Sequence, residues 1–262
     1  IYLDHIKELL NEGKVKISPI DDAVSRILRV KYELGLFDDP YKYLDSEREK
    51  NVTGSKEILD ATLEVANHSI VLLKNEGNIL PLKKNGQKIA IIGPLADDKN
   101  SPLGNWRTAA ENNSAVSVLE AMIEYKGNKI SHAKGVKLVN KIPDGFHEEV
   151  SINETDKTGI QNAKRIARDA DIVVMVLGEY GFQSGEGRSR TNLDLPGFQQ
   201  ELLEEVFKVN KNIVMVLMNG RPLVLNWHDE NLPAIVEAWH LGSLSGTAIA
   251  NVLYGDFNPS GK

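Results

Sequence analysis

One loop of this sequence carries a carboxyl group in a setting suited to proton transfer. Glu186 lies between Gly185 and Gly187, with Arg188 and Arg190 close behind. Flanking glycines remove side-chain bulk, so a bound ligand could approach the carboxyl group closely. A carboxyl group shielded from water on the substrate side would have a raised pKa, and it could then donate a proton near neutral pH. The alternative is a flexible surface loop with solvated charges, because Gly-Glu-Gly alone is a weak signal.

Three further residues lie where predicted strands end or in the loops that follow them. Glu179 could hydrogen-bond a ligand, although a carboxylate at the end of a strand is more often a loop anchor. Trp106 has polar neighbours on both sides, and it could stack on the apolar face of a sugar or simply serve packing. Arg221 is either a ligand contact or a buried structural guanidinium, and we favour the structural role.

The elements that must position these residues alternate between two kinds of pattern. Apolar strands are predicted at 88–93, 129–133, 171–178, 212–218 and 234–239, and helices at 116–125, 158–168, 197–209 and 247–254. Continuous apolar strands alternating with helices are typical of a parallel sheet covered on both faces. We therefore predict an α/β fold with a mostly parallel sheet sandwiched by helices. Ligands collect outside the carboxyl ends of such strands, where the loops 93–107, 179–196 and 219–227 begin.

The first part of the chain has a different pattern. Residues 1–45 are predicted to form two helices, the second with Ser18 as N-cap, Pro19 at its first position and a stop at Gly35. Two helices without a strand cannot form a core of their own, so we expect them to be the end of a preceding domain. Residues 46–54 are expected to be a charged, irregular linker. Residues 55–262 would form the α/β domain, opened by a helix from Ser55 to about Lys74.

Composition excludes several classes of function. Lys plus Arg total 31 and Asp plus Glu total 37, which gives a net charge of −6 and no basic surface for nucleic acid. The sequence has no apolar run of the roughly 18–20 residues needed to cross a membrane. Cysteine is absent, and the histidines lack metal-ligand spacing. Neither a nucleotide-binding glycine fingerprint nor a Gly-x-Ser-x-Gly motif occurs. We expect no metal and no cofactor.

Several motifs occur in an order that resembles glycoside hydrolase family 3, particularly its bacterial periplasmic β-glucosidases. They are Asp-Asp-Ala-Val-Ser-Arg-Ile-Leu-Arg-Val-Lys at 21–31, Gly-Leu-Phe-Asp-Asp-Pro-Tyr at 35–41, Ser-Ile-Val-Leu-Leu-Lys-Asn at 69–75, Ile-Ile-Gly-Pro at 91–94, Asn-Gly-Arg-Pro at 219–222 and Gly-Asp-Phe-Asn-Pro-Ser-Gly at 255–261. The resemblance covers nearly the whole chain.

The resemblance implies a fold and a division of labour. The family joins a (β/α)8-type barrel to an α/β sandwich domain, so residues 1–45 would be the last helices of a truncated barrel. It hydrolyses terminal β-glucosyl residues with retention, using a barrel aspartate as nucleophile and a sandwich-domain glutamate as acid/base. By position in its loop, Glu186 matches the acid/base, and Trp106 matches the aromatic residue on the aglycone side of the sugar. The nucleophile motif, Ser-Asp-Trp or similar, would lie upstream of residue 1, so we expect the isolated chain to be inactive.

Other possibilities stay open on the sequence alone. The chain could be a non-catalytic carbohydrate-binding or interaction module, or, with weaker support, a flavodoxin-like nucleotide-binding domain. The expected partners of an enzyme part are a β-glucoside or oligosaccharide and the missing barrel domain. Apolar helix faces in residues 1–45 are expected to leave that segment mobile or to mediate self-association into a homo-oligomer. The family resemblance implies a periplasmic or secreted location.

Overall fold

The computed structural model describes residues 2–107, 110–143 and 148–261, with only the backbone of residues 2 and 3. The chain divides after Ser55 into two compact units. The first unit contains the helices α1 (Tyr2–Asn11), α2 (Ile17–Glu33) and α3 (Ser46–Val52).

Helix α2 differs from its prediction at one end only. It begins at Ile17 with Lys16 at the N-cap position, so the assignment of Ser18 as N-cap is wrong. Pro19 then falls within the first turn, where a missing N–H costs no intrahelical hydrogen bond. At the other end the prediction is confirmed, because the helix ends at Glu33 and Gly35 follows with φ +72°.

The predicted irregular linker contains helix α3. Asp45 caps it, and its Oδ1 accepts hydrogen bonds from the backbone N–H groups of Glu47 at 3.0 Å and Arg48 at 2.9 Å. A carboxylate at this position satisfies two otherwise unpaired N–H groups and interacts favourably with the helix dipole. The expectation of irregular structure is therefore wrong for residues 46–52.

The second unit alternates strands and helices. Its elements are α4 (Lys56–Ser69), β1 (Val71–Asn75), β2 (Asn85–Ile92), α5 (Val118–Ile123), β3 (Gly127–Ala133), α6 (Ile160–Arg168), β4 (Ile172–Gly178), α7 (Gln199–Phe207), β5 (Ile213–Met218), α8 (Asn226–Asn231), β6 (Ala234–Glu237) and α9 (Ser245–Leu253). Within the described ranges, no helix is long and apolar enough to cross a membrane.

The helix predicted from Ser55 to Lys74 is too long. It ends at Ser69, and the apolar residues that follow form β1, which pairs antiparallel with β6. A short apolar run fits a buried helix turn and a strand equally well, so its periodicity cannot decide between them. Residues 71–75 form a strand because the edge of β6 offers them backbone hydrogen bonds.

The strands form one sheet in the order β1-β6-β5-β4-β2-β3, and all pairs except β1–β6 are parallel. Every residue of β4 and β5 is buried. Alternate side chains point to opposite faces: Val174 joins the apolar cluster beneath α4, α5 and α9, while Val173 and Met175 join that beneath α6 and α7. Each such buried side chain contributes about 1.5–3 kcal/mol. The predicted α/β sandwich is confirmed.

Candidate active site

The predicted loops converge at the carboxyl edge of the sheet. The loop after β2 meets the loop after β4, where the N–H of Gly181 donates to Ser101 Oγ at 3.1 Å. The loop after β4 meets the loop after β5, where Arg221 Nε lies 3.0 Å from Glu179 Oε1. Parallel strands end at the same edge of a sheet, so segments distant in sequence form one surface.

The loop after β2 is organised from within by Asp98. Its Oδ1 accepts the N–H groups of Asn100 at 2.7 Å and Ser101 at 3.0 Å, and its Oδ2 accepts the Ser101 hydroxyl at 2.7 Å. Beyond it, the Arg107 guanidinium lies 4.8 Å from the ring centre of Phe182 in the loop after β4. These contacts lie on both sides of Trp106, a residue that is 67% exposed. Most of the surface of Trp106 is therefore accessible to solvent.

Gly185 has a structural requirement of its own. Its φ is +114°, and a β-carbon built there would lie 1.6 Å from Asn105 Nδ2. The sequence alone attributes both glycines beside Glu186 to the close approach of a ligand. At residue 185 the structure gives a different reason, because the space beside it is filled by Asn105, which is buried. This contact brings two chain segments together just before Trp106 and Glu186.

Glu186 lies at the tip of a tight turn. The N–H of Arg188 donates to the carbonyl of Gly185 at 3.2 Å and closes the turn, and Gly187 has φ +69°. The Glu186 side chain is exposed, and it makes no hydrogen bond or ion pair with any residue that the structure describes. Its carboxyl group can therefore exchange a proton with a ligand without first breaking an internal contact.

Glu179 is the anchor of this loop, as the sequence indicated. Its side chain is completely buried at the end of β4. Arg190 Nη1 donates to Glu179 Oε1 at 2.7 Å, and Arg221 lies against the same carboxylate. A buried carboxylate needs such partners because desolvation of an unpaired charge is costly. Two cations on one buried anion favour a structural role for Glu179 over direct chemistry.

Arg221 is a structural guanidinium, as predicted. Besides Glu179, it contacts two backbone carbonyls of the loop after β4: Nη2 donates to the oxygen of Gln183 and, at 2.9 Å, to the oxygen of Arg188. Arg190 closes the far side of the loop by donating from Nη2 to the Asp194 carbonyl at 3.0 Å. The loop that carries Glu186 is thus held by two cations that share the buried Glu179 carboxylate.

Glu237 and His240 also lie at this edge, and neither is among the site residues predicted from the sequence. Glu237 is only 4% exposed, and it accepts hydrogen bonds from the Trp239 N–H at 3.0 Å and Asn219 Nδ2 at 3.2 Å. Burial is the largest cause that raises its pKa to about 7. Burial lowers the pKa of His240 to about 4. Glu237 could have been found from the sequence, because it is a glutamate inside the apolar run 234–239.

Similarity to known proteins is strong over the same residues. Residues 70–262 match the Glycosyl hydrolase family 3 C-terminal domain. A periplasmic beta-glucosidase of Salmonella typhimurium is 40% identical over 272 aligned residues, which cover 100% of this chain and 35% of that protein. A beta-xylosidase of Formosa agariphila is 38% identical, over 98% of this chain and 34% of that protein.

A solved structure of similar architecture is the beta-glucosidase from Listeria innocua in complex with glucose. It superimposes with a TM-score of 0.83 at 31% identity, covering 98% of this chain and 33% of that chain. The present chain thus spans about a third of the length of these relatives. The match to the family domain extends over most of the sequence and includes the sheet and all three loops. The chain therefore belongs to glycosyl hydrolase family 3, and its second unit contains the C-terminal domain of that family.

Proposed function

We propose that this chain supplies the acid/base carboxyl group, Glu186, of a retaining β-glycosidase that removes terminal β-glucosyl residues. The observation that carries the proposal is the position of Glu186: exposed at the tip of a tight turn, with no partner among the described residues, beside the segment that presents Trp106. The names of the relatives favour an enzyme over a non-catalytic carbohydrate-binding or interaction module.

In this proposal Glu186 acts twice. Retention needs two carboxyl groups about 5–5.5 Å apart across the scissile bond. Glu186 would first protonate the leaving oxygen and would then remove a proton from the water that releases the glycosyl-enzyme. The nucleophile would be an aspartate of a barrel domain, and residues 1–45 would be the last part of that barrel. Trp106 would stack on the sugar on the aglycone side.

The natural setting is also part of the proposal. The Salmonella typhimurium relative is named a periplasmic enzyme, and we propose a periplasmic or secreted location here as well. The substrate would be a β-glucoside or an oligosaccharide. The match to a beta-xylosidase leaves β-xylosides as the second substrate to test.

The test is replacement of Glu186 by glycine in the protein that carries this chain together with its barrel domain. Activated aryl β-glucosides leave without protonation, so the variant should still form the glycosyl-enzyme and show a burst, followed by slow turnover. Azide needs no general base, so it should restore turnover and yield a β-glycosyl azide. Loss of the acid/base should cost about 10²–10⁴-fold. Normal activity of Glu186→Gly towards unactivated disaccharides would overturn the proposal.

A further inference from the structure

Arg221 contacts both ends of the turn that carries Glu186. It lies in the loop after β5, yet its Nη2 donates to the carbonyl of Gln183, before Glu186, and to that of Arg188, after Glu186. The turn between these carbonyls is closed by a single backbone hydrogen bond, from the Arg188 N–H to the Gly185 oxygen. The same guanidinium nitrogen therefore links the entry and the exit of the turn to the neighbouring strand.

The guanidinium is itself fixed. Arg221 Nε lies 3.0 and 3.2 Å from the two carboxylate oxygens of Glu179, which is fully buried at the end of β4. In addition, Asn219 Nδ2 donates to the Arg221 carbonyl. The planar guanidinium offers several N–H donors in a rigid arrangement, whereas a lysine ammonium is a single point charge on a flexible stem. Lysine could keep the charge beside Glu179, but it could not keep the whole set of bonds.

We propose that Arg221 is a positioning residue for the acid/base step, and that it acts by fixing the backbone of the Glu186 turn against the ends of β4 and β5. This inference rests on the proposed role of Glu186. A carboxyl group at the tip of a turn keeps its direction towards the leaving oxygen only if both ends of the turn are held. A displacement of about 1 Å can cost as much as 10²-fold in rate.

A purely structural role would have a different kinetic signature. General loss of folded protein lowers the rate for every substrate by the same factor. A misplaced proton donor lowers the rate mainly for substrates whose leaving groups need protonation, so the rate depends more steeply on leaving-group pKa. The effect of Arg221 should also vanish when Glu186 is absent, because two residues that act through one step are not additive.

The experiment is a double-mutant cycle with Arg221→Lys and Glu186→Gly in the protein that includes the barrel domain. We expect Arg221→Lys to reduce kcat/KM about 10–100-fold for an unactivated disaccharide, and less than about 3-fold for an activated aryl β-glucoside. Azide should partly restore turnover limited by deglycosylation. In the Glu186→Gly background, Arg221→Lys should change the rate less than about 2-fold.

Two further variants serve as controls. Arg190→Lys disturbs the same Glu179 carboxylate but keeps the hydrogen bonds from Arg221 to the Gln183 and Arg188 carbonyls. Its rates should therefore depend less on the leaving group than those of Arg221→Lys. Arg165→Met, at an exposed position of helix α6, should behave as the unmodified protein. Equal losses for both substrates, or an unchanged Arg221→Lys effect without Glu186, would overturn this inference while the role of Glu186 stands. If Glu186→Gly itself is fully active, the proposed function fails first.

Discussion

Asn105 occupies the space that a side chain on Gly185 would need. A β-carbon at residue 185 would lie 1.6 Å from Asn105 Nδ2, and φ at this residue is +114°. Neither Nδ2 nor Oδ1 of Asn105 has a hydrogen-bond partner among the described residues. Van der Waals contact with a glycine therefore sets the distance between the segment that presents Trp106 and the turn that carries Glu186.

Gly185→Ala should consequently destabilise the protein and reduce activity. The unfavourable backbone conformation costs about 1–3 kcal/mol, and the clash adds to it. Gly187→Ala is the matched control, because φ is +69° there but no atom of the residues that the structure describes lies within 4 Å of the added carbon. Urea unfolding and kcat measure both effects. The double variant Gly185→Ala/Asn105→Ala should recover part of the loss, and no recovery would contradict the steric explanation.

Trp106→Ala should weaken substrate binding with little effect on stability. Trp106 is 67% exposed, so removal of its side chain takes little apolar area out of the core. Stacking on a sugar ring is worth about 1 kcal/mol, and KM should rise about 5-fold or more while the urea midpoint stays within error. Trp106→Phe should retain most of the affinity. An unchanged KM in Trp106→Ala would exclude a substrate contact.

The free energy of unfolding should decrease as the pH rises, because of the buried Glu237. Its pKa in the folded state is raised from its usual value of 4.5 to about 7, so the folded state binds the proton more tightly than the unfolded state. The contribution of this proton binding to the free energy of unfolding is complete below about pH 4.5 and is lost by about pH 7. The loss is roughly 3 kcal/mol, at about 1.4 kcal/mol per pKa unit.

The measurement is urea unfolding at several pH values for the unmodified protein and for Glu237→Gln. The lowered pKa of His240 acts in the opposite direction, since a histidine that is neutral when folded loses stabilisation as the pH falls. The difference between the two proteins therefore isolates Glu237. Glu230→Gln, at an exposed position of helix α8, is the control. The same pH dependence in all three proteins would contradict the assignment.

The chain of residues 1–262 should not hydrolyse aryl β-glucosides by itself. Under the proposed function, Glu186 assists proton transfer but forms no covalent intermediate, and the nucleophile belongs to the barrel domain. The assay is release of the aryl group by rigorously purified chain, with the complete protein as positive control. Turnover that disappears in Glu186→Gln would mean that the chain has a mechanism of its own.

The same chain should self-associate through α2. No residue of α2 is buried, and Ile27, Val24 and Val30 are 61%, 48% and 51% exposed. Exposed apolar faces of this kind favour contacts with other molecules. Sedimentation velocity should show association that increases with concentration and decreases in Ile27→Glu. Lys31→Glu introduces the same residue on the same helix and is the control. A monomer at all concentrations would contradict the prediction.

Much of this protein could be predicted from its sequence, because the responsible signals are local. The apolar runs that become β4 and β5 are continuous and bounded by turn residues, and these two features alone indicate a buried parallel sheet. Glu179 and Arg221 follow these strands closely, and the rule that ligand sites form at carboxyl ends places their loops on one edge. The family resemblance then makes Glu186, among many exposed glutamates, the residue proposed as acid/base.

Only the tertiary structure decided the remaining points. Residues 71–75 became β1 because the edge of β6 was available for pairing, which no local pattern records. Gly185 proved necessary because Asn105, 80 positions earlier, packs against it. Arg221 reaches carbonyls on both sides of Glu186 from a different loop. Contacts between distant segments depend on how the sheet is assembled, so periodicity and spacing along the chain do not contain them.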